Sequence, residues 1–231
     1  MTHVLAAAMR AVLAKHADSA KAPRMQRYMK SAMPYYGVSA PVQHRLWREV
    51  SREHPVGSCE ELRRVALELW RDARYREERY AAIGLADLPR YRACQTLDAL
   101  PMYEEMIVTG AWWDYVDFLA THHLGNVLRS EPARMKRLMR RWARDRDLWK
   151  RRAAILCQIR FKADTDVDLL YACIEPSLDD NDFFIRKAIG WALRQYAWID
   201  AREVSRYVTT RRDRLSPLSI REALKNAGRL R

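Results

Sequence analysis

Residues 151–160 read RRAAILCQIR, and residues 186–195 read RKAIGWALRQ. A third stretch, RYAAIGLADL at residues 79–88, has the same order of basic and apolar side chains. When the shared Ala-Ile pairs at 82–83, 154–155 and 188–189 are aligned, they lie 72 and 34 residues apart, about two periods and one period of roughly 35 residues. A further copy is then expected near residue 118, inside WWDYVDFLA. The chain therefore predicts an internal repeat of about 35 residues.

Apolar residues recur at helical spacing along the whole chain, and short breaks interrupt them. The breaks are marked by prolines, which stop or start helices: Pro34, Pro55, Pro89, Pro132, Pro176 and Pro217. No alternating β-branched run competes with the helical pattern, and the consensus of tetratricopeptide repeats is absent. We therefore predict an all-α fold, a HEAT-like or armadillo-like helical repeat solenoid with a concave basic groove, formed by residues 1–231 as a single domain. Ser219 and Glu222 have the spacing of a capping box, which predicts the start of the last helix.

The chain carries 42 Lys and Arg residues against 29 Asp and Glu residues, a formal net charge of +13. A surplus of this size attracts polyanions, of which nucleic acid is the commonest. The preference for arginine fits phosphate binding, and it equally fits a bias in genomic composition. The run RMKRLMRRWARDR at residues 134–146 predicts a helix with one apolar stripe and a basic outer face. That face either contacts phosphates or is simply solvated.

The four cysteines form no C-x-x-C pair and lie in apolar stretches, so we expect reduced, buried thiols in a cytoplasmic protein: Cys59, Cys94, Cys157 and Cys173. No export signal and no membrane-spanning stretch is evident, which favours a cytoplasmic location, at the nucleoid if the protein binds DNA. No zinc motif or phosphate-binding glycine loop occurs, so no metal or cofactor is expected. The adjacent His122 and His123 diverge by about 100° on a helix and are predicted to lie at a surface or a helix end.

The segment GAWWDYVDFL at residues 110–119 combines two tryptophans with two carboxylates. Helical spacing predicts a core face made of Trp112, Val116, Leu119 and Ala120. Trp113 and Asp117 are then one turn apart on the flank of that face.

The repeat register relates this flank to the next two repeats. At about 100° per residue, Trp113, Asp117, Arg152 and Trp191 fall within an arc of about 140° on equivalent helices. They could therefore face one groove. The spacing alone favours the alternative, in which the tryptophans pack between repeats and Asp117 pairs with a neighbouring arginine.

Five stretches carry a more specific signal: RYMKSAMPYYGV (27–38), WWDYVD (112–117), RRAAILCQIRFK (151–162), FFIRKAIGWALRQYA (183–197) and PLSIREALK (217–225). In this order they closely resemble the bacterial alkylpurine DNA glycosylases of the AlkD type, members of the DNA alkylation repair enzyme family built from HEAT-like repeats. The resemblance runs from about residue 20 to the C-terminus. It departs at Ser39, where relatives have a longer polar side chain, so a DNA contact at that position is not implied.

The resemblance implies an enzyme, a monomer without cofactor or metal, that hydrolyses the N-glycosidic bond of cationic N3- or N7-alkylated purines in duplex DNA. It implies Asp117 as the catalytic carboxylate, with Arg152 beside it as a catalytic and DNA-binding residue. Arg152 would either fix the flanking phosphate or pair with Asp117 and set its geometry. It also implies Trp113 and Trp191 as groove tryptophans and Tyr28 as a DNA contact. A cationic base leaves as a neutral molecule, so the site needs a carboxylate to stabilise positive charge on the sugar rather than a strong acid. Indole faces suit a cationic nucleotide.

Two other functions fit parts of the sequence. A HEAT-repeat protein that binds damaged or branched DNA without catalysis would share the basic charge, but it would not need Asp117 in the groove. A protein-interaction scaffold is the commonest use of helical solenoids. The basic balance and the set of tryptophan, aspartate and arginine argue against a scaffold.

Overall fold

The computed structural model describes residues 2–225, and this part of the chain contains 14 α-helices and no β-strand. The predicted all-α class is confirmed. The contacts divide the chain into two compact units, the first ending at Gln95 and the second beginning at Thr96. The assignment of residues 1–231 to a single domain stays a prediction. No helix within residues 2–225 has both the length and the apolarity needed to cross a bilayer.

The first unit is built from five helices and one short 3₁₀ segment. The helices are α1 (Val4–Lys15), α2 (Ala22–Met29), α3 (Ala40–Glu53), α4 (Cys59–Arg71) and α5 (Arg76–Asp87), and the 3₁₀ segment is Pro89–Cys94. Helices α1, α3, α4 and α5 pack against one another. Gly84 allows helix α5 to approach helix α3 closely, because a Cβ atom there would lie 2.1 Å from the ring of Trp47 in α3.

A buried carboxylate fixes the loop that leads into α3. The side chain of Glu77 accepts hydrogen bonds from the backbone N–H groups of Tyr36, Gly37 and Val38, at 3.0, 2.8 and 3.1 Å. Gly37 has a φ of +88°, which a side chain would strain. The hydrogen bonds to Glu77 therefore hold the segment PYYGV, residues 34–38, in place within the first unit.

Two of the four cysteines correct our expectation of reduced thiols. Cys59, at the start of α4, and Cys94, at the end of the 3₁₀ segment, form a disulfide. They are 35 residues apart, which is about one repeat, and packing of one repeat on the next brings such positions together. Motif spacing such as C-x-x-C cannot reveal this kind of pair. Cys157 and Cys173 are buried free thiols, as expected, and burial raises the pKa of the Cys173 thiol to about 12.

The second unit contains the remaining nine helices, followed here in chain order. They are α6 (Leu100–Gly110), α7 (Trp113–Phe118), α8 (Gly125–Ser130), α9 (Pro132–Trp142), α10 (Leu148–Leu156), α11 (Val167–Ile174), α12 (Phe183–Ala197), α13 (Ala201–Thr210) and α14 (Pro217–Ala223). A π-helical segment, Leu119–Leu124, joins α7 to α8 without a break.

The second unit repeats a helical pair, as a helical repeat solenoid does. Helices α7, α10, α12 and α14 begin at residues 113, 148, 183 and 217, steps of 35, 35 and 34 residues. Each of these helices packs against the next, while α9 and α11 pack against α10, and α13 packs against α12 and α14. The predicted period of about 35 residues is confirmed. Its assignment to the HEAT-like class stays a prediction.

The last helix starts three residues before the position that the capping box predicted. The Ser216 hydroxyl accepts the N–H of Ser219 at 3.0 Å, and Pro217 occupies the first helical position. A proline there is preorganised for a helix start, so Ser216 is the N-cap and the prediction at Ser219 was wrong. Glu222 instead pairs with Lys187 at 3.1 Å and with Arg194, which ties α14 to α12.

His123 also differs from its prediction. It lies in the π-helical segment and is fully buried, with its ring stacked on Tyr103 at 4.8 Å between centroids. The segment packs against both α6 and α10, which accounts for the burial of His123. His122 is partly exposed and stacks on Phe118 at 4.1 Å.

Candidate active site

Three adjacent helices of the second unit meet at one side chain, Arg152. Its Nε donates to Asp117 Oδ1 and its Nη2 donates to Asp117 Oδ2, each at 2.7 Å. Its Nη1 donates to the backbone carbonyl of Phe184. Arg152 of α10 therefore joins Asp117 of α7 to the start of α12, and the prediction that Asp117 pairs with a neighbouring arginine is confirmed.

The two partners differ in exposure. Arg152 has a side chain that is 5% exposed, whereas that of Asp117 is 15% exposed, so the carboxylate is the member that solvent or a ligand can reach. Burial raises the pKa of the Asp117 carboxyl, and the Arg152 guanidinium opposes that rise. Because a guanidinium stays charged and both carboxylate oxygens accept from it, Asp117 is an anion at neutral pH.

Three aromatic rings cluster beside this pair, and the Arg152 guanidinium lies 5.9 Å from the centroid of the Phe184 ring. Trp112, Trp149 and Phe184 are mutually in contact, with centroid separations of 6.4, 5.5 and 5.1 Å. Each lies at the start of one of the three helices α7, α10 and α12. Trp112 precedes α7 and is its N-cap residue, partly exposed, so it belongs to this cluster and not to the helix itself.

The remainder of the predicted core face is confirmed. Val116, Leu119 and Ala120 are fully buried. Thr121, one turn after Asp117, donates its hydroxyl to the Asp117 carbonyl at 2.8 Å. The backbone of Asp117 is thus anchored at the junction between α7 and the π-helical segment.

The repeat register of these helices contains a motif that our reading of the sequence missed. DRDLWKRR at residues 145–152 recurs as DNDFFIRK at residues 180–187, with aspartate, aromatic and basic residues at matching places. In both copies the second aspartate caps a helix, Asp147 for α10 and Asp182 for α12. The aromatic position holds Trp149 and Phe184. A comparison of the two octapeptides, which are 35 residues apart, would have identified both aromatic rings from the sequence.

The fifth residue of each helix distinguishes α7 from its neighbours. It is Arg152 in α10 and Lys187 in α12, but Asp117 in α7. The preceding residue of α10, Arg151, donates to the backbone carbonyl of Asp145 at 2.9 Å and pairs with Asp180 at 3.0 Å. It therefore joins loops and does not face Asp117.

The structure places the other predicted site residues as follows. Trp113 is the first residue of α7, Trp191 lies in α12, and both are partly exposed. Both helices pack against α10, which carries Arg152. Tyr28 lies in α2 of the first unit, with 76% of its surface exposed. Among residues 2–225, no group of three His, Cys, Asp or Glu side chains is arranged to hold a metal ion.

Comparison with known proteins gives one consistent result. A family model described as DNA alkylation repair enzyme matches residues 9–227. A solved structure titled as a predicted DNA alkylation repair enzyme from Enterococcus faecalis matches with a TM-score of 0.82 and 28% sequence identity, over 90% of this chain and 95% of that one. The curated proteins contain no match. The chain belongs to the DNA alkylation repair enzyme family, and its role is in the repair of alkylation damage.

Proposed function

We propose that the protein is a DNA glycosylase that excises cationic N3- or N7-alkylated purines from duplex DNA. The observation that supports this most directly is the partly exposed Asp117 carboxylate, held by two hydrogen bonds from a nearly buried Arg152. A charge held in a fixed position stabilises a transition state without the cost of reorganisation.

The chemistry needs little more than this carboxylate. An N7- or N3-alkylated purine is already positively charged, so it departs as a neutral base without being protonated. Positive charge then develops on the sugar, and an adjacent carboxylate stabilises it and positions the attacking water. Asp117 is assigned both roles.

The two indoles complete the proposed site. Trp113 is one helical turn from Asp117, and Trp191 lies on α12, two helices away across α10. Each is partly exposed, so each leaves ring surface for a ligand. An indole face attracts a cation and stacks on a nucleotide, which suits a charged lesion. Tyr28 is proposed as a further DNA contact, because its ring is largely exposed.

Arg152 is assigned a positioning role. The resemblance also allows Arg152 to bind a flanking phosphate, but all three guanidinium nitrogens already donate, two to Asp117 and one to the Phe184 carbonyl. The side chain is also 5% exposed. It therefore sets the orientation and the charge of Asp117 and leaves phosphate binding to other cations.

A DNA-binding protein without catalysis is the second candidate. One observation favours it: both oxygens of Asp117 already accept hydrogen bonds from Arg152, as they would in a purely structural ion pair. The two candidates differ in what happens to a lesion after binding.

The experiment that separates them uses a duplex with a single N7-methylguanine. We expect time-dependent abasic sites with the protein, and formation slower by about 10²-fold or more with the Asp117→Asn variant. Duplexes with uracil or hypoxanthine serve as neutral lesions, which should be excised far more slowly because the site has no evident general acid. Tight binding of the lesion duplex without any abasic product would establish the non-catalytic function instead. Similar rates on neutral and cationic lesions would refute the mechanism.

A further inference from the structure

Helix α9 presents a row of arginines that the proposed active site does not use. Five of them are exposed on α9 and the turn that follows it, and we call them the α9 arginine face: Arg134, Arg137, Arg140, Arg141 and Arg144. The opposite side of α9 is buried through Met135, Met139 and Trp142. At about 100° per residue the five arginines fall within an arc of about 120°, centred almost opposite those three apolar side chains.

Three of these arginine side chains have no polar partner in the part of the chain that the structure describes. Within residues 2–225, the side chains of Arg134, Arg137 and Arg141 make neither an ion pair nor a hydrogen bond. The ion pair of this helix, between Lys136 and Asp166 at 2.6 Å, lies to one side of the row. Three neighbouring guanidinium groups without counter-charges repel one another unless an anion binds to them.

The row faces away from the candidate active site within the second unit. Helix α9 packs against α8, α10 and α11 through its buried side, and α10 carries Arg152. Lys150 of α10 lies 5.7 Å from the ring of Trp142, on that inner side. A ligand on the α9 arginine face would therefore not reach Asp117.

We propose that the α9 arginine face binds the phosphate backbone of a second segment of duplex DNA. From residue 134 to residue 142 helix α9 advances about 12 Å at 1.5 Å per residue, and Arg144 follows in the next turn. Duplex DNA carries about one phosphate per 3.4 Å along each strand, so this length faces roughly four phosphates of one strand. Guanidinium groups match phosphates in geometry as well as in charge.

Other anionic partners fit the surface less well. Insertion into a lipid surface requires large apolar side chains beside the cations, and the large exposed apolar residues lie elsewhere: Val4, Tyr28, Val108, Phe183, Trp198 and Ile199. Specific protein interfaces likewise depend on aromatic and apolar anchors at their centre. Charge without such anchors is the pattern of sequence-independent phosphate binding.

A protein with both surfaces holds two duplex segments at once. One segment would lie at the candidate active site, and the other at the α9 arginine face. Because the second contact is electrostatic, it should weaken steeply with salt.

The test compares two variants that lose the same number of charges. The first is the triple variant Arg134→Gln, Arg137→Gln, Arg141→Gln. The matched control is Arg92→Gln, Arg202→Gln, Arg212→Gln, which removes three exposed arginines from other places. Binding is followed with undamaged 15-base-pair duplexes labelled with a donor or an acceptor dye, so that energy transfer reports two duplexes on one protein.

We expect energy transfer with the wild-type protein at low salt, and its loss in the first variant with at least tenfold weaker binding of the second duplex. The slope of log K against log salt should fall by up to about 3 for that event. The control variant should retain most of the energy transfer. Equal signals from both triple variants, or one duplex per wild-type protein at all salt concentrations, would overturn the proposal. The proposal would also be overturned if the first triple variant lost binding to phosphatidylserine vesicles while its bridging of two DNA duplexes was unchanged. None of these outcomes depends on glycosylase activity, because the DNA is undamaged.

Discussion

Helices α7 and α10 occupy the same place in consecutive repeats, and their fifth residues carry opposite charges. In α10 this position holds Arg152, and in α12 it holds Lys187, whereas α7 has Asp117. Asp117 accepts two of the three hydrogen bonds that Arg152 of the next repeat donates. Asp117 therefore departs from the repeat pattern, and this departure produces the contact with Arg152.

The two helices differ again one turn later. After Leu156, helix α10 ends in a turn, whereas α7 continues through the π-helical segment Leu119–Leu124 into α8. π-helical turns are rare in proteins, but those that occur are often found at functional sites. In α7 this segment holds Thr121, which fixes the carbonyl of Asp117. Both departures from the repeat therefore act on the same residue.

The largest effect should come from breaking the comparison at position 152. Arg152→Ala leaves the largely buried Asp117 carboxylate without its partner, and loss of one member of a buried pair costs about 3–5 kcal/mol. Lys187→Ala is the matched control, because Lys187 is at the equivalent place but its side chain is 37% exposed and pairs with Glu222. That change should cost less than about 1 kcal/mol. Urea unfolding of both variants gives the two values, and similar losses would show that position 152 has no special role.

The tryptophans of α7 and α12 sharpen the comparison. Trp113→Ala and Trp191→Ala should each lower the ratio of the excision rate constant to the dissociation constant of the lesion duplex by about 5- to 150-fold, corresponding to about 1–3 kcal/mol per stacked base. Thermal stability should change little in these two variants. Trp112→Ala is the neighbouring control, because Trp112 packs on Trp149 and Phe184 and should mainly lower the unfolding temperature. If Trp113 behaves like Trp112, it is a packing residue and not a ligand contact.

The smallest effect concerns pH. The proposed mechanism needs Asp117 as an anion, so excision is present above its pKa and is lost as pH falls through it. Burial raises that pKa above the ordinary value of 3.8, so the acid limb should lie higher than for an exposed aspartate. Below it the single-turnover rate should fall about tenfold per pH unit. The Asp117→Asn variant is the control, since its residual rate should show no such limb after subtraction of spontaneous depurination. A wild-type limb shared by the variant would belong to another group.

The sequence predicted the repeating helices of the second unit. It also predicted that Asp117, which departs from the repeat, meets a residue of the next repeat. The period of about 35 residues placed Asp117 and Arg152 on equivalent faces, and the structure joins them. It could not reveal features that depend on competition or on tertiary contact. Ser216 with Pro217 displaced Ser219 as the helix start, and the disulfide from Cys59 depends on how repeats pack.

The most direct test of the account is the single-turnover excision rate of Asp117→Asn on duplex DNA with one N7-methylguanine. Asparagine retains the size of the side chain and removes its charge, so helix content should be unchanged. We predict a loss of about 10²-fold or more, roughly 3 kcal/mol, the scale of one well-placed electrostatic group. Affinity for the duplex should hold or rise slightly, because a carboxylate repels phosphates in the ground state. A rate within about threefold of the wild-type rate, with the fold intact, would contradict the assignment of Asp117 as the catalytic residue.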